Sequence, residues 1–124
     1  MKKAIKEALR LSANLWNVDQ NLVKGNDCRI DAVIMAKRFF IYYLYNFVEI
    51  NHSQMKKYVH GINHSTSIYH VRQLNKQLDE SYDIKHKFQI LLEEMSSYSL
   101  YGAEYEIKKR ELEQIKVELN KLRK

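Results

Sequence analysis

Apolar residues recur at helical spacing in the first part of the chain. Their i, i+3, i+4 pattern in residues 3–15 predicts an amphipathic helix, with apolar positions at Ile5, Ala8, Leu9, Leu11 and Leu15. The polar residues 17–20 interrupt this pattern, and Leu22 and Val23 then provide a second apolar contact. Residues 24–27 include a glycine and two Asx residues, so we expect a loop there.

The most apolar segment runs from residue 29 to about residue 50. Its apolar side chains cover almost the whole helix circumference, which is typical of a buried central helix. They are Ile30, Val33, Ile34, Phe39, Phe40, Ile41, Tyr43, Leu44, Phe47 and Val48. β-branched and aromatic residues also suit a strand, but the length and the lack of turn residues favour a helix. Asp27 is its expected N-cap.

A motif of two helices is predicted next. Asn51 or Ser53 caps a short helix that Gly61 ends, because glycine readily adopts the left-handed conformation beyond a helix C-terminus. Asn63 or Ser65 then begins a helix whose apolar residues are Ile68, Val71, Leu74 and Leu78. Two helices joined by a few residues around a glycine form the helix-turn-helix pattern.

Two more helices complete the predicted organisation. Residues 83–95 have apolar side chains at helical spacing, and residues 96–98 mark a break. Beyond Gly102 a charged helix carries one apolar stripe of under three heptads, formed by Tyr105, Leu112, Ile115, Leu119 and Leu122. We therefore expect a domain in residues 1–99 and an amphipathic C-terminal helix in residues 100–124.

The composition agrees with an all-α fold. The 124 residues include no proline and three glycines, which disfavours a turn-rich β fold. The single cysteine, Cys28, excludes an internal disulfide, and no signal-peptide pattern is present, so a cytoplasmic protein is expected. The most apolar stretch, residues 39–48, is too short to span a bilayer, and we expect no membrane partner.

The chain is basic, and its charge is concentrated near the two-helix motif. There are 21 Lys and Arg residues against 15 Asp and Glu, a net charge of +6, which favours an anionic partner. Residues 36–76 contain Glu49 as their one acidic residue and six basic residues, which are Lys37, Arg38, Lys56, Lys57, Arg72 and Lys76. A positive face beside a helix-turn-helix favours double-stranded DNA as the partner.

Polar residues begin the second helix of the motif. The segment Asn63, His64, Ser65 and Thr66 offers short side chains that fit the major groove, where Asn can read adenine and Thr can contact the thymine methyl group. The alternative is that Asn63 or Ser65 only caps the helix and that His64 is solvated. The residues alone leave both interpretations open.

These residues also resemble a known family. Residues 61–68, Gly-Ile-Asn-His-Ser-Thr-Ser-Ile, are similar to the Gly-x-Asp-His-Thr-Thr-Val signature of the DNA-binding C-terminal domain of the bacterial replication initiator DnaA. Residues 36–42 resemble its Ala-Arg-Gln-Ile-Ala-Met-Tyr segment, and residues 51–55 occupy its Ser-Leu-Pro-Glu-Ile segment. Residues 17–22 and 79–85 continue the likeness. The resemblance implies a DnaA C-terminal-like, Trp-repressor-like helix-turn-helix bundle, here with an extra C-terminal helix.

The resemblance implies which residues read bases. The family reads the major groove from the start of its second motif helix, and the matching residues are Asn63, His64, Ser65, Thr66 and Tyr69. Three of them depart from the family. Asn63 replaces an aspartate, Ser65 lacks the methyl group of a threonine, and Tyr69 replaces a histidine. We therefore expect DNA binding at a sequence that need not be the initiator's box.

The resemblance also implies minor-groove and phosphate contacts. The minor-groove arginine of the family aligns with Lys37, and Arg38 beside it is the substitute. The family contacts phosphates from the turn before the first motif helix, and Lys56 and Lys57 add their charge. The predicted phosphate contacts are therefore Asn51, His52, Ser53, Lys56 and Lys57.

No motif for chemistry accompanies these residues. The 124 residues contain no Gly-x-x-x-x-Gly-Lys-Ser/Thr loop, so we do not expect an ATP-driven initiator. His60 and His64 are four apart, but Gly61 between them disrupts the face that a metal pair needs, and Cys28 has no evident histidine base. We expect no enzyme activity, metal or cofactor. The resemblance to the DnaA domain implies a role in replication initiation or its regulation.

Two alternatives stay open. The chain could be a protein-interaction module whose C-terminal helix docks a partner or forms a homodimer, or the helix could pack on its own domain. A transcriptional regulator would use the same DNA-binding motif. The aromatic cluster of residues 39–47 could stack on bases, but on an apolar helix we assign it to the core.

Overall fold

The computed structural model describes residues 2–25 and 29–96. Over these ranges the chain is helical and forms no strand, which confirms the all-α class for this part of the protein. The elements in chain order are α1 (Lys2–Leu15), α2 (Gln20–Lys24), α3 (Asp31–Phe47), a 3₁₀ helix (His52–Lys57), α4 (His64–Glu80) and α5 (Tyr82–Met95).

The first two helices meet at a tight corner. Asn17 has a positive φ of 55°, and the N–H of Val18 donates to the carbonyl of Ala13 at 3.0 Å, which ends α1. The sequence pattern did not predict α2 as a helix. It is a single short turn, begun by the Asp19 carboxylate, which accepts a hydrogen bond of 2.7 Å from the Asn21 N–H.

Helix α3 is the centre of the fold, as its apolar pattern predicted. It packs against α1, α2 and α4, and its residues Phe39, Phe40, Ile41 and Leu44 are fully buried. Burying each such side chain contributes about 1.5–3 kcal/mol. The helix begins two residues later than predicted, with Ile30 rather than a capping side chain at the N-cap. The predicted cap Asp27 lies outside the described residues.

Aromatic rings join α3 to α5 and to the residue that follows α1. Phe39 meets Trp16 and Phe88 edge to face, with ring centroids 5.3 and 5.2 Å apart, and Tyr42 meets Phe88 at 5.1 Å. Such pairs stabilise beyond their buried area. These α3 rings therefore belong to the core, in agreement with the prediction, whereas Tyr45 is more than a third exposed.

One serine forms the corner between the last two described helices. The Ser81 N–H donates to the Gln77 carbonyl at 2.8 Å, and the Ser81 hydroxyl accepts from the Ile84 N–H at 3.4 Å. The predicted helix of residues 100–124 lies outside the described residues. Within the described ranges, no helix combines the length and the apolar character that crossing a membrane requires.

Candidate nucleic-acid interface

The first part of the motif is a 3₁₀ helix rather than an α-helix. Asn51 caps it: its Oδ1 accepts from the Gln54 N–H at 3.0 Å and from the Ser53 hydroxyl at 2.7 Å. Asn51 and Ser53 are exposed, so both side chains face solvent at the predicted phosphate-contacting turn. Of the two predicted caps, Asn51 and Ser53, the structure has Asn51, and the short helix ends at Lys57 rather than near residue 60.

Apolar anchors hold this short helix to the rest of the domain. Met55 and Val59 are fully buried and Ile62 is nearly so. Gly61 has φ 71°, a conformation that glycine adopts without steric cost, and it turns the chain into α4. Lys56 and Lys57, which follow Met55 in the chain, are exposed, as phosphate contacts require.

Asn63 is the N-cap of α4. Its Oδ1 accepts a hydrogen bond of 2.7 Å from the Thr66 N–H, so of the two predicted caps, Asn63 and Ser65, the structure has Asn63. The capping bond uses only the side-chain oxygen. The amide NH₂ group of this exposed residue can still donate hydrogen bonds. His64 and Ser65 are also exposed, and Thr66 is half-buried beside them.

The exposed face of α4 continues the row of predicted base-reading residues. At 100° per residue, Ser65, Tyr69, Arg72 and Lys76 fall within an arc of about 60°. All four are exposed, and Tyr69 exposes 54% of its surface. Arg72 and Lys76 were counted in the charge but not assigned to the site. Their spacing of seven and eleven residues from Ser65 is the signal that places them on this face.

His52 does not project into solvent with its neighbours. It is half-buried, and its Nδ1 lies 2.7 Å from the Ser67 hydroxyl. Its ring stacks on Tyr45, with centroids 4.2 Å apart, and meets the edge of the His64 ring at 5.7 Å. Burial lowers the pKa of His52, and the nearby His64 and Arg72 lower it further. His52 is therefore mostly uncharged at neutral pH, which weakens its predicted role as a phosphate contact.

Lys37 and Arg38 lie inside the protein, which corrects the expectation that they are presented to DNA. Each exposes less than a tenth of its surface. The Lys37 ammonium donates to the Gly25 carbonyl. The Arg38 guanidinium donates to His70 Nδ1 at 3.2 Å and to Gln77 Oε1 at 2.8 Å. A minor-groove contact would break these bonds, so neither residue enters the interface proposed below.

His70 belongs to this buried cluster. It lies on the inner face of α4, and burial, with Arg38 and Lys37 as the neighbouring cations, lowers the pKa of His70 to about 4. The uncharged ring is what allows Nδ1 to accept from Arg38. Within residues 2–25 and 29–96, no group of three or more His, Cys, Asp or Glu side chains is arranged to hold a metal ion.

Comparisons with known proteins do not add a relative to this picture. No protein-family model matches the chain, and no curated protein matches it. The likeness to the DnaA DNA-binding domain therefore rests on the motifs of residues 36–42, 51–55 and 61–68. The DnaA-like form of the all-α fold stays a prediction.

Proposed function

We propose that this protein binds double-stranded DNA through the start and the exposed face of α4, with the 3₁₀ helix contacting phosphates. The observation that carries the proposal is a segment whose exposed charged side chains all have one sign. Residues 50–78 contain no Asp or Glu, and their four Lys and Arg residues are all exposed. These are Lys56, Lys57, Arg72 and Lys76.

In the proposed surface, basic residues contact phosphates and polar residues form hydrogen bonds with bases. Lys56, Lys57, Arg72 and Lys76 would neutralise phosphates, which supplies affinity without sequence information. Asn63, His64 and Ser65 are exposed at the N-terminus of α4, where side chains of a helix-turn-helix meet base edges. Exposed Tyr69 stands between these two groups on the same face.

A role in replication initiation or its regulation is the further proposal that the DnaA resemblance supports. It rests on the motif residues and not on the charge of the surface. Depletion and overproduction of the protein test it, because an initiator or a regulator of initiation must change the frequency of replication starts. Unchanged replication under both conditions would contradict it and leave transcription as the use of the same DNA-binding surface.

Fluorescence anisotropy with short labelled duplexes tests DNA binding itself. One duplex carries the initiator's box and a second has the same composition in scrambled order, and both are measured at several salt concentrations. We expect binding whose logarithmic affinity falls with the logarithm of salt by about 0.9 per phosphate contact. Absence of binding to both duplexes at low salt would overturn the proposal. Equal affinity for both would keep DNA binding and exclude the box as its target.

A further inference from the structure

One imidazole joins three elements beside the proposed reading residues. His52 begins the 3₁₀ helix, stacks on Tyr45 of α3 with an interplanar angle of 16°, and bonds to Ser67 of α4. Its edge contact with His64 adds a second connection to α4. Ser67 is fully buried, and its N–H donates to the Asn63 carbonyl at 3.1 Å, so it belongs to the first turn of α4.

We propose that His52 is a positioning residue that fixes the first turn of α4 relative to the 3₁₀ helix, and that it thereby sets the sequence preference of DNA binding. The inference rests on the proposed function. It gives His52 a different role from that of its neighbours Asn51 and Ser53, whose side chains are exposed. A reading helix that shifts by a fraction of an ångström loses hydrogen bonds to base edges but keeps its attraction to phosphates.

The surroundings of His52 agree with a structural role rather than a charged one. The groups that contact His52 or act on its charge are Tyr45 from α3 and Ser67, His64 and Arg72 from α4. None of these is acidic, so nothing among them favours the imidazolium. The neutral ring holds its bond to Ser67 as donor or acceptor, depending on the tautomer.

A positioning role and a phosphate-contacting role for His52 predict different DNA-binding results for His52→Ala. Two duplexes are compared: the tightest-binding duplex that the wild-type protein selects from a random library, and a duplex with the same bases in scrambled order. A positioning residue affects the ratio of the affinities for these two duplexes. We expect this ratio to fall about three- to tenfold, the effect of one lost hydrogen bond, with an unchanged salt slope. A phosphate contact would instead weaken both duplexes equally and reduce the slope by about one. That second result would overturn the proposal.

Three further variants distinguish the hydrogen bond between His52 and Ser67 from the other contacts of the His52 ring. Ser67→Ala should reproduce the part of the loss that comes from the hydrogen bond, and the double variant His52→Ala with Ser67→Ala should be no worse than His52→Ala, because both changes remove this one bond. His52→Asn keeps a hydrogen-bonding group close to the backbone and should restore part of the ratio. His60→Ala is the matched control, since it removes an exposed histidine from the same motif. An equal loss in His60→Ala would contradict the assignment.

A measurement without DNA keeps the two proposals distinguishable. In ¹H–¹⁵N spectra of the free protein, His52→Ala should shift the amide signals of residues 63–67, whereas His60→Ala should leave them in place. Unmoved signals in His52→Ala would overturn the positioning role whatever the DNA result. Wild-type protein that binds no duplex would overturn the proposed function, and the spectra would still decide whether His52 positions α4.

Discussion

The Arg38 guanidinium donates through Nε to Nδ1 of His70 at 3.2 Å, inside the protein and across 32 positions of sequence. The bond joins the central helix α3 to the inner face of α4, and the Arg38 guanidinium also lies 5.8 Å from the centroid of the Tyr69 ring. The bond exists only while His70 is uncharged, because an imidazolium has no acceptor. Protonation of His70 would also place a third cation beside Arg38 and Lys37.

This relationship predicts loss of stability in acid. The pKa of His70 is about 4 in the folded protein and has an ordinary value of 6.5 in the unfolded chain, so the unfolded state binds more protons between these values. The free energy of unfolding should therefore decrease as the pH falls from 6.5 to 4, by up to about 3 kcal/mol from this group. Urea unfolding at pH 7, 5.5 and 4.5 measures it.

The variant His70→Gln isolates the contribution of His70. Glutamine cannot titrate, and its carbonyl oxygen can accept from Arg38, so this variant should lose about 3 kcal/mol less than wild type over the same pH range. His86→Gln on the exposed side of α5 is the control and should follow wild type. If the free energy of unfolding depends on pH equally in His70→Gln and in the wild-type protein, His70 does not cause the loss of stability in acid.

The 3₁₀ helix should contribute non-specific affinity. Replacing Lys56 and Lys57 with alanine removes two proposed phosphate contacts, so the salt slope should become shallower by about two units on specific and scrambled duplexes alike. Anisotropy against salt measures the slope. The double variant Lys3→Ala with Lys6→Ala removes the same charge from exposed positions of α1 and serves as the control. Equal slopes in the two double variants would remove the 3₁₀ helix from the interface.

The exposed face of α4 should also contribute non-specific affinity for DNA. Arg72→Ala with Lys76→Ala should weaken every duplex and flatten the salt slope by about two units, because both side chains share the exposed face with Ser65 and Tyr69. The same α1 double variant is the reference. A salt slope as steep as that of the wild-type protein would show that the phosphate contacts are confined to the 3₁₀ helix and the start of α4.

Asn63 should influence which base is preferred. Its Oδ1 is engaged in capping, so the side chain meets DNA mainly as a donor and should favour the acceptors of guanine, adenine or thymine over the cytosine amino group. Asn63→Asp keeps the cap but removes the donor, which should change the selected base and cost about 1–3 kcal/mol on the original site. Selection from a random duplex library by both proteins measures this.

A cap-only role for Asn63 gives a different outcome. Asn63→Ala should lower the free energy of unfolding by about 1 kcal/mol under both roles, because the cap is lost, whereas under the cap-only role Asn63→Asp should leave both stability and the selected sequence unchanged. An identical consensus from wild type and Asn63→Asp would therefore show that the side chain caps α4 and reads no base.

Local signals in the sequence predicted the helices and the turn well. The apolar pattern of α3, the cap at Asn63 and the glycine turn at Gly61 each depend on residues within one or two helical turns. All three agree with the structure. The short helix α2 was not predicted because a single capped turn leaves too few residues for a periodic pattern.

The surroundings of the charged and titratable residues could not be predicted. Lys37 and Arg38 counted as surface cations because basic residues are usually exposed. Their burial depends on partners far away in sequence, such as His70 and Gln77 for Arg38. The bond between His52 and Ser67 likewise spans 15 positions. No spacing rule connects such pairs, whereas Arg72 and Lys76 could have been assigned from helical periodicity.

The proposed contact of DNA with the start and the exposed face of α4 can be observed residue by residue in an NMR titration. A duplex selected by the protein is added to ¹⁵N-labelled protein at low salt, and amide shifts are mapped onto the chain. We expect shifts in residues 51–57 and 63–66 and at Tyr69, Arg72 and Lys76, with the exposed side of α1 unaffected. Shifts confined to α1 or α5, or no shifts at all, would contradict it.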